Sequence, residues 1–117
     1  MLIWRLDEIP TPGGRTSPVV LFSGEEGRAI LVRLEPGQEL GEHEVRENAW
    51  LLPVAGSVEI EAHDRRVQAD PGTLVWLERG ERRVVRSSAG ARVLLVLAPW
   101  PGPGHYAAGD EPSPDVQ

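Results

Sequence analysis

Apolar and polar positions alternate along most of this chain in short runs, and the runs are separated by glycine, proline and acidic residues. The clearest is SVEIEA at residues 57–62. It puts Val58 and Ile60 on one face and Glu59 and Glu61 on the other, the period of two that a half-buried strand requires. Comparable runs are LIWRL (2–6), PVVLF (18–22), AILVRL (29–34), AWLLPV (49–54), RRVQA (65–69), TLVWL (73–77), RRVVR (82–86) and ARVLLVLA (91–98). Residues 37–56 read as strand, turn and strand, with His43 on the first arm. Between the runs stand SGEEG, EPGQ, DPG, ERGE and SSAG, whose glycines and prolines favour tight turns. Their β-branched and aromatic content suits a pleated, half-buried surface. No window sustains a 3.6-residue period. Nine or ten short strands with turns this close predict an all-β sandwich or barrel, with a jelly roll as the leading form.

Composition narrows this picture without redirecting it. The 117 residues suffice for one domain with one core. Thirteen glycines and eleven prolines fit short elements joined by turns. A net charge of −6 argues against nucleic acid and against an anionic membrane surface, both of which demand a positive footprint. The absence of cysteine removes disulfides, thiolate chemistry and Cys-ligated metals. All twelve basic residues are arginine, a usage from which no function follows. MLIWRLDEIP lacks the basic start and long apolar stretch of a signal peptide. The longest apolar run, VLLVLA at 93–98, is far too short to span a bilayer as a helix, so a soluble, cytoplasmic protein is expected. From Pro99 proline and glycine dominate. The expected organisation is therefore a β-barrel over 1–98 and a Pro/Gly-rich tail over 99–117, lying along the barrel or partly disordered.

Two stretches resemble the cupin superfamily. Its first motif has the frame Gly37, His43, Val45, Ala49 and Gly56, and its second the frame Gly72, Glu78, Gly80, Arg83 and Ser87, every spacing being kept. The fifteen residues between Gly56 and Gly72 are similar to the short inter-motif hairpin of small microbial cupins. The resemblance covers residues 37–87 and implies a single-domain cupin-type jelly-roll β-barrel. In metal-carrying cupins the first motif supplies two histidines and a glutamate, and the second supplies a histidine. Here those positions hold His43, Val45, Ala49 and Arg83. Valine and alanine offer no donor, and arginine stays protonated and repels a cation. No cofactor is therefore expected. A divalent metal, if bound, would use His43 with Glu47 or His105. Alternation turns Glu42 and Glu44 away from His43, and the direction of Glu47 is left open by the turn at RENA. His63, in AHDR, reads as a solvated hairpin-turn residue.

Arg83 has two directions open to it. It can join Arg79, Arg82 and Arg86 on a solvated face, or it can point inward with His43 to bind an anion through its planar fork of donors. An inward Arg83 requires a ligand or an acidic neighbour beside it. Trp50 and Trp76 adjoin the pocket by the family comparison and are expected either to wall it or to pack in the core or at a subunit interface. Three functions compete. The first is a metal-free binding domain for a small, anionic molecule, with His43, Arg83, Trp50 and Trp76 as its site. The second is a metal-dependent dioxygenase or isomerase with non-standard ligands. The third is a metal-independent sugar isomerase or epimerase using His43 with a carboxylate. A homodimer is expected, because cupins of this size often pair through edge strands and the N-terminal segment and because MLIWRL is an apolar run in need of cover.

Overall fold

The structure, a computed structural model, describes residues 1–11, 18–44 and 47–101, with side chains given except at 41–44. Nine strands and one short 3₁₀ turn, η1 (Leu6–Glu8), make up its regular elements among these residues. The strands are β1 (Val19–Gly24), β2 (Gly27–Leu34), β3 (Glu39–Glu44), β4 (Asn48–Gly56), β5 (Val58–Ala62), β6 (Arg65–Ala69), β7 (Val75–Leu77), β8 (Arg82–Arg86) and β9 (Ala91–Ala98). They form two antiparallel sheets with orders β1-β2-β9-β4-β7 and β3-β8-β5-β6. This is the all-β jelly roll that the alternation predicts.

Alternation decides what fills the space between the sheets. On β4 the inward residues are Ala49, Leu51 and Pro53; on β9 they are Ala91, Val93 and Leu95. Register carries the same parity across, pairing Leu51 with Leu95 and Leu34 with Ala91. The second sheet answers with Val58, Ile60, Ala69 and Val85. Leu51 and Val93 are 0% exposed, so truncating a leucine there costs about 2–5 kcal/mol in lost burial and residual cavity. Pro53 is tolerated in a central strand because the ladder to β9 shifts register beside it, between Pro53 and Ala55.

Glycine works where strands turn. Gly37, Gly56, Gly72 and Gly80, the glycines of both motif frames, all have positive φ. At Gly56 a Cβ would be driven into the carbonyl oxygen of Gly90, so both conformation and space demand glycine there. Ser87, 2% exposed, ties the same end together. Its hydroxyl donates to the Ser57 carbonyl at 2.8 Å, and its own carbonyl accepts from the Gly37 amide at 2.8 Å.

The opening run LIWRL does not form the expected strand. Residues 1–5 carry no regular structure, and the chain enters η1 instead. Among the described residues no strand pairs with residues 1–5, and from Leu6 onward the backbone is held by a side chain instead. Arg92, outward on β9, donates to the carbonyls of Leu6 and Ile9 and, through Nε, to the Thr11 hydroxyl at 3.2 Å. The tail from residue 102 onward lies outside the described residues.

Candidate functional site

The strand ends that meet at one rim of the barrel are fixed by register. On the first sheet Arg28 of β2 pairs with Leu97 of β9, Leu97 with Ala49 of β4, and Ala49 with Leu77 of β7. On the second sheet Arg83 of β8 pairs with Ala62 of β5 on one side and with His43 of β3 on the other. The segment 78–81 joins β7 to β8 across this rim, held by the Asn48 side-chain oxygen accepting from the Arg79 amide at 2.9 Å. Glu47 immediately precedes β4 at the same rim.

Three charged side chains are buried here: Arg83 at 9% exposure, Arg28 at 5% and Glu47 at 1%. Arg83 shares the inward parity of Val85, which settles its direction against the solvated-face alternative. Burial pulls its guanidinium below the ordinary value, and the negative charges of Glu81 and Glu47 oppose that pull. The acidic neighbour that an inward arginine requires is therefore present. Nη1 of Arg83 is nevertheless buried without a hydrogen-bond partner among the described residues. A separate cleft of about 350 Å³ is lined by Glu61, His63, Gly80, Arg82, Arg83 and Val84, and Glu61, Arg82 and Val84 have the outward parity of their strands. His63 stands at the lip in a positive-φ turn, exposed, with Nε2 3.5 Å from Glu81. Arg28 stacks over the Trp100 ring at 4.6 Å from its centroid.

The residues expected to build the site are only partly brought together. His43 is set opposite Arg83 by backbone pairing, while its side chain, Val45 and His105 lie outside the described residues. Trp50 and Trp76 are placed elsewhere. They alternate with the core residues Ala49, Leu51 and Leu77, which turns both rings to the outer face of the five-stranded sheet. They pair there at 4.6 Å between centroids, tilted by 59°, and do not wall the barrel interior. Arg28 went unnoticed in the sequence, although its spacing of two from Ile30, Val32 and Leu34 was the available signal.

Of the four positions that the resemblance gives to a metal, Ala49 and Arg83 have described side chains, and neither is a metal donor. Among the described residues no three His, Asp or Glu side chains converge.

Comparison with solved structures agrees with this architecture. The chain is similar to the TT1209 protein of Thermus thermophilus, with TM-score 0.74 and 23% identity over 85% of this chain and 98% of that one. It is similar to a conserved protein with a double-stranded β-helix domain from Klebsiella pneumoniae, with TM-score 0.74 and 17% identity over 86% and 92%. A cupin superfamily protein from Desulfitobacterium hafniense superposes with TM-score 0.72 and 13% identity over 80% and 85%. The two sheets thus form a double-stranded β-helix. That is the cupin superfamily fold, and the chain has it. No protein-family model matches the chain, and no curated protein matches it. Among the described residues no helix is long and apolar enough to cross a membrane.

Proposed function

We propose that this cupin-fold chain is a metal-free binding domain for a small anionic molecule. The observation that carries the reading is Arg83, nine-tenths buried, with one guanidinium nitrogen lacking a hydrogen-bond partner among the described residues. A desolvated guanidinium presents its donors in a plane that matches a carboxylate or a phosphate, and a charge-assisted bond of that kind contributes about 1.5–3 kcal/mol. Arg28 adds a second buried cation at the same rim, against one fully buried carboxylate, Glu47. His43 serves as the second polar contact, on the strength of its pairing with Arg83. Titration calorimetry with inorganic phosphate and with a series of mono- and dicarboxylates tests this. Binding by the wild type and its loss in Arg83→Met is the expected result. Equal heats from both proteins would refute it.

A second reading rests on Glu47. A fully buried carboxylate beside Arg83 is a candidate acid–base group for a metal-independent isomerase or epimerase of a sugar, with His43 as its partner. Proton NMR in deuterated water checks this reading through carbon-bound deuterium appearing in a sugar substrate, an exchange that Glu47→Gln would abolish.

A further inference from the structure

Accessibility inside the barrel changes from one end to the other. At the end away from Arg83 the inward residues Leu34, Val93 and Val58 are at most 1% exposed. Further along the same strands Ile30 of β2, Leu97 of β9 and Ala62 of β5 keep the inward parity and pack on the core, yet each is partly exposed. On β4 the same end is closed, with Ala49 and Glu47 both buried. The apolar interior therefore opens over β2, β9 and β5, at the rim that carries Arg83. Register sets Arg28, Leu97, Ala49 and Leu77 side by side there on one sheet, and Ala62 beside Arg83 on the other. Apart from the two arginines, the described inward side chains of this layer are all apolar. Arg28 lays its guanidinium over the Trp100 ring, whereas Arg83 Nη1 is a buried donor without a partner among the described residues.

We infer that the ligand of this rim is a monocarboxylate with a short apolar body, its carboxylate on Arg83 and its body against Ile30, Leu97 and Ala62. The inference rests on the anion-binding reading and names the class of anion. Charge gives the first argument. Among the described residues the buried charges are Arg28, Arg83 and Glu47, two cations against one carboxylate, which matches one further negative charge. A second carboxylate on the ligand would lose its water in this apolar layer and find no cation left for it. Glu81, the other carboxylate acting on Arg83, is partly exposed, so solvent screens it. Polarity gives the second argument. The partly exposed Ile30, Leu97 and Ala62 offer apolar surface that a carbon chain would cover, each buried methylene raising affinity about fourfold. A sugar would bury hydroxyls against a layer whose described inward side chains hold no hydroxyl or amide to replace their water. The Asn48 side-chain oxygen at this rim is already taken by the Arg79 amide.

Calorimetric titration of the full chain with acetate, butyrate and hexanoate, and with succinate and adipate as dicarboxylates of matching length, tests it. Affinity is expected to rise from acetate through butyrate to hexanoate, by up to about fourfold per methylene. Butyrate and hexanoate are expected to bind about tenfold more tightly than succinate and adipate. Glu47→Gln should narrow that gap, because losing the internal carboxylate admits a second one on the ligand. Equal affinity for acetate and hexanoate, or for hexanoate and adipate, overturns the class while leaving anion binding in place. A gap unchanged in Glu47→Gln overturns it too, as does hexanoate bound equally by a folded Arg83→Met. No heat from any of these acids or from inorganic phosphate overturns the anion-binding reading and the class with it.

Discussion

Arg92 and Leu6, eighty-six residues apart, are joined by a hydrogen bond of 2.8 Å from the guanidinium Nη2 to the backbone carbonyl oxygen. With the further bonds to Ile9 and Thr11, one side chain replaces the ladder that a strand would have given this segment. Arg92→Met keeps the aliphatic stem and removes the donors. The expected outcome is a loss of about 2 kcal/mol in urea unfolding and faster amide exchange across residues 6–11 than in the sheets. Exchange in 6–11 equal to wild type would show that apolar contacts hold the segment without Arg92.

Gly56 gives a test of the motif frame as backbone geometry. Its φ is +70°, and a Cβ there meets the Gly90 carbonyl, which is backbone and cannot swing aside. Gly37, with φ +82°, has open space around the same position. Gly37→Ala is therefore expected to cost about 1 kcal/mol, from strain alone, and Gly56→Ala several times that. Denaturant midpoints of the two variants check the ranking, and equal midpoints would contradict it.

Those glycines also explain how much was legible beforehand. Strand alternation and glycine spacing are local properties, so the double-stranded barrel could be read from residues 37–87 before any contact was known. Directions were harder wherever a turn or a partner strand decides them. Arg83 had either face open until the register with Ala62 and the parity of Val85 put it inside. Glu47 follows a turn, and its burial depends on the segment that crosses the rim beside it. Trp50 and Trp76 were assigned to the pocket by family comparison, whereas their own alternation with Ala49, Leu51 and Leu77 already pointed outward. LIWRL had strand composition but no neighbour to pair with, and pairing is not a property of the run itself.

Asp70 supplies a prediction for acid. The Ser57 hydroxyl donates to Oδ1 at 2.7 Å and Gln68 Nε2 donates to the same oxygen at 3.2 Å, and in that order they hold the carboxyl below its ordinary value of 3.8. A carboxyl depressed in the folded state favours folding above its unfolded value, and that contribution fades as pH falls through the folded one. Ser57→Ala is therefore expected to raise the Asp70 value and to shift the onset of acid unfolding upward in pH. Carbon-detected NMR titration of the Asp70 carboxyl reads this directly, and an unchanged midpoint would assign the depression to another group.

Arg83 and Glu47 decide whether the rim is a structural ion pair or a site for a third charge. If Arg83 existed only to neutralise Glu47, replacing both by neutral groups of similar shape would leave a protein that had lost nothing but its charges. Arg83→Met alone takes one cation from beside the carboxylate of Glu47, 1% exposed, and is expected to cost about 3 kcal/mol. Adding Glu47→Gln removes that buried charge as well, so the double variant should recover most of that loss. Binding responds differently, because the guanidinium is still missing. The expected pattern is a stable double variant that binds neither phosphate nor carboxylates, and a Glu47→Gln single variant that binds them more tightly, since the competing internal anion has gone. Calorimetric titration beside urea unfolding on the three proteins separates the two roles. Recovery of anion binding together with stability in the double variant would remove Arg83 from the site.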